Sequence, residues 1–407
     1  MVIAVASEDQ SNRKGFDYGI KFYDITNGKI MKRLDGHKSW IECLINLNMK
    51  QKSKHYLGSA SDDAHIKIWD MNKFTCAITL AGHTSFVVCI VQFSQISEEY
   101  LISGSKDKTI KIWNFVKGSC LQTLRGHDGA INSITNLSMR LNSKKQAFAS
   151  CSEDSQIRIW EYDENKADAE CIDILTDHKN SITVLITVVT IKLDVIISGG
   201  KDALIKIWDY YKKDLKCQFT LKGHSDEILS IERLMSFNYN SFLASGGKDK
   251  ELRIWNINNE ECIDVINIGY IIYSIMNFKE CFSGYIALGV EHSVDFVNIL
   301  EKISNKVGDK VKLIDLTPYS SNESVEINLN MKDEDDLIKH KYKNKPSKLS
   351  LQHIFQDKSK SYTSRLENEP IILTTLTKTK NEKHEDSRLN NKISSSAKNI
   401  HNRVIYK

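Results

Sequence analysis

The sequence lacks a hydrophobic segment long enough to cross a membrane. Its longest apolar-rich run, Ile182–Ile191, carries three threonines and is about half the length that a membrane-spanning helix requires. No basic segment precedes the short apolar run at the start of the chain, which turns acidic at Glu8 and Asp9, unlike a secretory signal peptide. We therefore expect a soluble cytoplasmic protein, with the nucleus as the alternative compartment.

The sequence also lacks the motifs of a metal centre or of common catalytic sites. Its nine cysteines include no CxxC pair and no Cys/His cluster with zinc spacing, and we expect reduced thiols in a chain without an export signal. No P-loop, GxGxxG, G-x-S-x-G or HExxH motif is present. The formal net charge of +4 gives no whole-chain argument for nucleic-acid binding. We predict a protein that is not an enzyme and that has no metal, no cofactor and no small-molecule substrate.

Five segments of the chain end in nearly the same phrase. Each has apolar residues at alternate positions up to a tryptophan, which is the pattern of a strand with one buried face. The phrases HIKIWD, TIKIWN, QIRIWE, LIKIWD and ELRIWN end at residues 70, 114, 161, 209 and 256. Their spacing of 44 to 48 residues is typical of the blades of a propeller.

Three further residue types stand at regular distances before each tryptophan. An aspartate lies six residues before it, a serine ten residues before it, and a histidine 30 to 33 residues before it. The constant Ser–Trp distance predicts a hairpin. In that hairpin the serine hydroxyl can accept from the indole N–H, and the histidine can donate to the aspartate. The five sets are His37, Ser59, Asp63 and Trp69; His83, Ser103, Asp107 and Trp113; His127, Ser150, Asp154 and Trp160; His178, Ser198, Asp202 and Trp208; and His224, Ser245, Asp249 and Trp255.

This combination resembles the WD-repeat family, the β-transducin-like propellers, whose blades share a structural tetrad of His, Ser or Thr, Asp and Trp. The resemblance implies an all-β fold, a single propeller of four-stranded blades over residues 1–330, with five clear repeats within residues 37–268. Degenerate blades at residues 1–36 and 269–316 would bring the number to seven and close the ring. The histidines and aspartates recur once per blade, so we interpret them as structural. A catalytic site would bring different groups together at one point.

The two degenerate blades depart from the tetrad pattern. In the first, Tyr23 takes the tryptophan place, and the strand before it must connect through a longer turn. In the last, Val297, Glu291 and Ala287 take the Trp, Asp and Ser places, so the tetrad is lost. The first blade lacks an innermost strand. The resemblance implies that the chain ends can share a blade, which makes Val325–Asn330 the candidate; a truncated start is the alternative.

Five cysteines recur at one position, four residues before a leucine or isoleucine. We expect them at a repeated position of the outer strand, where a buried cysteine packs as a small apolar residue. They are Cys76, Cys120, Cys171, Cys217 and Cys262.

The resemblance also implies a protein-binding face near the central channel, with three positions in each blade. These positions vary between blades, whereas the tetrad does not, so repetition separates scaffold from surface. Aromatic residues three positions after the histidine, on adjacent blades, are candidate anchors; packing inside the strand is the alternative. The candidate residues are Trp40 and Phe86 three after the histidine; Glu42, Val88, Asn132 and Leu229 five after it; and Asp62, Lys106, Glu153, Lys201 and Lys248 just before the tetrad aspartate. We expect the acidic residues to favour a basic partner segment and the lysines an acidic one.

The composition changes after residue 330. Residues 331–407 contain 17 Lys and Arg residues against 10 Asp and Glu residues, with much Ser and Asn, which predicts a disordered tail whose removal leaves the propeller intact. Two apolar islands, Leu349–Phe355 and Ile371–Leu376, could fold on a partner. The basic run Lys339–Lys345 is either a nuclear-import or acidic-surface patch or a solvated charge run.

Together these features predict a non-catalytic scaffold that binds proteins or peptide segments and assembles a multiprotein complex. The alternatives are a substrate receptor of a ubiquitin ligase and a regulatory propeller module of a larger protein. No Arg follows the repeated phrases at the place where some ligase receptors carry one. We expect no membrane insertion, and nucleic-acid binding only as an alternative role of the basic tail.

Overall fold

Apart from Ile299, which is helical, all regular structure in the described part of the chain is β-strand. The computed structural model describes residues 2–7, 18–24, 29–47, 55–93, 99–137, 145–163, 165–189, 194–209, 217–234, 236–237, 241–277, 285–290, 294–299, 313–314 and 372–377. The strands form six four-stranded sheets, one three-stranded sheet and one two-stranded pair. Within these ranges no helix is long and apolar enough to cross a membrane.

Five central sheets correspond to the five complete repeats, and neighbouring strands in each are antiparallel. The second sheet contains β4 (Ile41–Leu47), β5 (Tyr56–Ser61), β6 (His65–Asp70) and β7 (Thr75–Ala81), and the third contains β8 (Val87–Gln92), β9 (Tyr100–Ser105), β10 (Ile110–Asn114) and β11 (Ser119–Leu124). The fourth contains β12 (Ile131–Leu137), β13 (Gln146–Ser152), β14 (Ile157–Asp163) and β15 (Asp168–Leu175), and the fifth contains β16 (Ile182–Val189), β17 (Asp194–Gly200), β18 (Leu204–Asp209) and β19 (Cys217–Lys222). The sixth contains β20 (Ile228–Arg233), β22 (Phe242–Gly247), β23 (Glu251–Asn256) and β24 (Glu261–Asn267).

Two further sheets use the sequence on either side of the five repeats. The first contains β1 (Val2–Ser7), β2 (Ile20–Asp24), β3 (Lys29–Leu34) and β29 (Ile372–Thr377), and the seventh contains β25 (Ser274–Asn277), β26 (Tyr285–Gly289) and β27 (Val294–Asn298). A short pair, β21 (Ser236–Phe237) with β28 (Leu313–Ile314), lies outside these sheets. Only three strands of the seventh sheet are described, so seven complete four-stranded blades stay a prediction.

The sheets are arranged as the blades of a propeller. Neighbouring inner strands pack beside each other in the order β4, β8, β12, β16, β20 and β25. The strand β29 lies beside both β4 and β26. The inner strand β8 is buried along its whole length, whereas the outer strand β11 is mostly exposed. Each tetrad tryptophan packs between two sheets; Trp160, for example, stacks on Phe148 and belongs to one core cluster with Val91 of the preceding sheet. The predicted all-β propeller is confirmed.

The first sheet differs from the sequence-based expectation at its inner edge. β1 pairs antiparallel with β2, as a strand connected through a longer turn should. Its other neighbour is β29, which runs parallel to it from Val2–Ile372 to Ser7–Thr377. The place proposed for Val325–Asn330, which lies outside the described residues, is therefore taken by a strand from the expected disordered tail. The segment ILTTLT is rich in residues that favour strands, and the average composition of the tail conceals it.

The repeated cysteines lie on the outer strands as predicted, but they are not buried. Cys76, Cys120, Cys171 and Cys262 are exposed, and Cys217 is half-buried. The outer strand is the last strand of each sheet in the described part of the chain, which leaves it open to solvent. The buried thiols among the described residues, Cys43, Cys89 and Cys151, belong to strands nearer the axis.

Candidate functional site

Each central sheet carries the same hydrogen-bonded tetrad. In the fourth sheet the indole N–H of Trp160 donates to Ser150 Oγ at 2.9 Å. That hydroxyl lies 2.8 Å from His127 Nε2, and His127 Nδ1 lies 2.7 Å from Asp154 Oδ2. With the proton on Nδ1, the imidazole donates to the carboxylate and accepts from the serine, so each of these buried groups has a partner. The other four tetrads repeat these contacts at 2.6 to 2.9 Å.

The tetrad aspartate also fixes the two loops that it touches. Asp154 accepts the backbone N–H of Gln156 in its own turn and that of Asp128 next to the tetrad histidine. Burial alone would raise the pKa of this carboxyl, but the hydrogen bonds from His127 and the two amides lower it below its usual value. The same balance lowers the pKa of Asp63, Asp107, Asp202 and Asp249. Burial lowers the pKa of His37, which favours the neutral imidazole.

The tetrad groups offer little to a metal ion or a substrate. In the described ranges, His224, Asp249 and Glu251 bring three potential ligand atoms within 4.8 Å of one another. However, His224 Nδ1 lies 2.6 Å from Asp249, and Glu251 accepts two hydrogen bonds from Arg253. These atoms are therefore already used in holding the blade together.

Two of the three sequence-predicted sets of face residues meet on one surface, which we call the hairpin face. The backbone N–H of each residue before a tetrad aspartate donates to the carbonyl of the residue three after the tetrad histidine, at 2.8 or 2.9 Å. The pairs are Asp62 with Trp40, Lys106 with Phe86, Glu153 with Ala130, Lys201 with Ser181, and Lys248 with Glu227. Each blade therefore brings two residues together on this face, and Lys recurs in the third, fifth and sixth sheets. Asp62 is only 7% exposed, which corrects its prediction as an accessible face residue.

The side chains of the hairpin face form specific contacts. Trp40 and Phe86 are half-buried, and the ammonium of Lys106 lies 4.7 Å from the centre of the Phe86 ring, within range of a cation–π interaction. Glu227 lies 3.8 Å from the ammonium of Lys201 and 2.8 Å from that of Lys248. One carboxylate offsets part of the charge of the two lysines, and the expectation that they attract an acidic partner stays a prediction.

The third predicted set, five residues after the histidine, is not on the accessible face. Glu42, Val88, Asn132 and Leu229 are 2–6% exposed. Each occupies the extra position where the inner strand shifts register against its neighbour, as at a β-bulge. Asn132 shows where such a residue points, because its side-chain amide donates to the carbonyl of Ile182 in the next sheet at 2.8 Å. Asn132 thus connects two blades, and the repeat pattern gave no signal for the bulge.

The fold and the tetrads define a class of protein, and comparison with known sequences agrees. A family model described as the tRNA methyltransferase TRM82 WD40 domain matches residues 30–188, and the WD domain, G-beta repeat model matches residues 169–209 and 215–256. The chain belongs to the WD-repeat β-propeller family.

Among curated relatives, the chain is similar to Mitochondrial division protein 1 of Eremothecium gossypii, with 30% identity over 152 residues, which are 35% of this chain and 19% of the relative. It is also similar to a CCR4-associated factor 4 homolog of Vanderwaltozyma polyspora, with 27% identity over 32% of this chain and 20% of the relative. Protein transport protein sec13 of Aspergillus oryzae is 41% identical over 61 residues, 14% of this chain and 21% of that protein. The chain thus spans about a fifth of the length of these relatives.

Proposed function

We propose that the protein is a non-catalytic scaffold whose hairpin face binds other proteins and holds them in a complex. One observation carries this proposal: five blades keep the same tetrad, whereas the residue three positions after the tetrad histidine differs in every blade and is a half-buried aromatic ring in the second and third sheets. The ubiquitin-ligase and regulatory-module alternatives stay predictions from the sequence.

The second and third sheets offer the best anchor on this face. Trp40 and Phe86 occupy positions where other blades have Ala130, Ser181 and Glu227, so blade packing does not require an aromatic ring there. Half-buried aromatic rings gain contact area when a partner covers them, and they are common anchors of protein interfaces.

The test is the double variant Trp40→Ala with Phe86→Ala. Partners captured by the wild-type chain are identified by mass spectrometry, purified and titrated against both proteins. Loss of an anchor of about 2 kcal/mol corresponds to roughly thirty-fold weaker binding, and we expect the melting temperature to stay within about two degrees. The matched control is Leu121→Ala with Ile174→Ala, which removes two exposed apolar side chains from outer strands. Unchanged affinity for every identified partner contradicts the proposal, as does a collapsed melting temperature, which means that the rings are packing residues.

A second candidate is the non-catalytic partner of a tRNA methyltransferase. The match of residues 30–188 to the TRM82 WD40 model favours it, since this range contains both aromatic anchors. Captured material would then transfer methyl groups to tRNA in vitro, and the double variant would capture less of that activity. Capture without any such activity removes this candidate and leaves the general scaffold proposal in place.

A further inference from the structure

A cation recurs two residues before the tetrad tryptophan in all five central sheets. The residues are Lys67, Lys111, Arg158, Lys206 and Arg253. In the second, third, fourth and sixth sheets the cation extends across a glycine that precedes the tetrad histidine. A β-carbon on Gly126, for example, would lie 2.9 Å from a terminal nitrogen of Arg158 and 3.7 Å from the Trp160 ring. The cation and the glycine therefore lie where the hairpin face meets the outer edge of the propeller.

Two of these five cations are neutralised by a carboxylate. In the fifth sheet Asp177 replaces the glycine, and it accepts a hydrogen bond from the ammonium of Lys206. In the sixth sheet Glu251 accepts from Arg253 at 2.6 and 2.9 Å. Both are ion pairs that leave little net charge.

The other three cations, on successive sheets, contact only neutral groups. Lys67 donates to the Thr79 hydroxyl at 3.0 Å, and Lys111 donates to the Thr123 hydroxyl at 2.7 Å. Arg158 donates to the Gln156 side chain at 3.1 Å and lies 3.9 Å from the Cys171 thiol. Over the described ranges, none of the three has a carboxylate within ion-pair distance.

One further cation lies beside this row. Arg125 directly precedes Gly126, is exposed, and has no ion-pair or hydrogen-bond partner in the described part of the chain. We call Lys67, Lys111, Arg125 and Arg158 the cationic rim. It spans three sheets and ends where Asp177 begins the neutralised half.

We infer that the cationic rim binds the phosphodiester backbone of a nucleic acid. At Lys67 and Lys111 the site combines an uncompensated ammonium with a threonine hydroxyl, which accepts from the lysine and keeps its own proton to donate. Lysine, arginine and threonine are common phosphate ligands. A charge that repeats on successive blades fits a polymer whose charge also repeats. This surface is distinct from the Trp40 and Phe86 anchor and from the basic tail.

The probe is a fluorescent single-stranded RNA of about 30 nucleotides, titrated with the full chain, and a DNA of the same sequence forms a second arm. The variant Lys67→Gln, Lys111→Gln, Arg158→Gln should bind about ten-fold or more weakly at moderate salt, and its log affinity should depend less steeply on log salt, by about two units for three lost phosphate contacts. The control variant Lys73→Gln, Lys117→Gln, Lys166→Gln makes the same charge change on exposed turns at the opposite ends of the same blades, and it should bind like wild type.

A gain of binding tests the same idea without removing a cation. Asp177→Gly restores the glycine found in the other blades, frees Lys206, and should tighten RNA binding several-fold. Equal affinity of wild type and the rim variant overturns the inference, as does an equal loss in the control variant. Competition by polyglutamate as strong as that by unlabelled RNA also overturns it and points to an acidic protein segment. Preference for RNA over DNA decides the source of the phosphates, and loss of Trp40 and Phe86 should leave this binding unchanged.

Discussion

The seventh sheet and the five central sheets share a strand arrangement, but different side chains hold them together. In the sixth sheet Trp255 pairs with Leu243, which lies two residues before the tetrad serine Ser245. In the seventh sheet Val297 takes the tryptophan place and pairs with Ile286. The serine place is therefore Leu288. The constant Ser–Trp distance of the repeats predicts Ala287 at this place. That prediction is wrong, because the hairpin of the seventh sheet is one residue shorter than the hairpin of the sixth sheet. The predicted counterpart of the aspartate, Glu291, lies outside the described residues.

The histidine place in the seventh sheet is also apolar. Ile228 lies four residues after the tetrad histidine His224 and packs against Gly199 of the preceding sheet. Ile272 packs against Gly246 in the same way, so the histidine place of the seventh sheet is Ile268, four residues before Ile272. Ile268, Leu288 and Val297 belong to one apolar cluster at the junction of the sixth and seventh sheets. The hydrogen-bonded tetrad of the central sheets and this apolar cluster thus occupy equivalent positions in their sheets. Replacing both partners of a buried hydrogen bond by apolar groups can be nearly neutral in stability, whereas removing one partner is costly.

The largest expected effect is loss of a tetrad tryptophan. Trp160→Ala removes a side chain that is 3% exposed and orphans Ser150, so we expect a loss of about 3–5 kcal/mol in the free energy of unfolding. Denaturant unfolding of the purified protein measures it, with Trp40→Ala as the control for losing a half-buried indole. A loss below about 1 kcal/mol would mean that the central sheets do not depend on their tetrads.

The second effect concerns the first sheet, which depends on β29 for its inner edge. Deletion of residues 367–407 should remove six paired positions, cost about 3 kcal/mol at roughly 0.5–1.5 kcal/mol per net hydrogen bond, and favour aggregation through the open edge of β1. Deletion of residues 381–407 keeps β29 and is the control. Equal melting temperatures of the two truncated chains would restore the sequence-based expectation that the whole tail is dispensable.

The sequence could predict the repeated features and missed the unrepeated ones. The contacts of Trp160, Ser150 and His127 could be foreseen because constant offsets in five repeats demand one shared geometry. The bulge that buries Asn132 gives no pattern, since residues at that position differ in every blade. The strand at Ile372–Thr377 could not be assigned either, because pairing between distant segments depends on which edge is open.

A smaller effect should follow from acid, because among the described residues the buried aspartates with a lowered pKa lie in the central sheets. Asp202→Asn weakens the bonds to His178 and to two backbone amides and should cost about 1.5–3 kcal/mol near neutral pH. A lowered folded-state pKa stabilises the fold above the unfolded value of about 3.9, and this stabilisation is lost as pH falls below it. Unfolding measured from pH 7 to pH 3 should therefore show the wild type approaching the variant. The exposed Asp128→Asn is the control, and a gap that stays constant with pH contradicts this reasoning.

The smallest effect is expected at the apolar counterpart of the tetrad. Val297→Ala removes two methyl groups from a half-buried side chain, at about 0.8 kcal/mol per fully buried group, so we expect a loss of about 1 kcal/mol. No hydrogen-bond partner is orphaned, and the loss should not change between pH 7 and pH 4. The near-isosteric Val297→Thr separates shape from polarity, because it keeps the volume and adds a hydroxyl to an apolar cluster. If Val297→Ala costs as much as Trp160→Ala, the seventh sheet depends on this one residue as strongly as a central sheet depends on its tryptophan. A loss near 1 kcal/mol means that its stabilisation is spread over the cluster, which explains how a blade can lose all its tetrad residues and keep its strands.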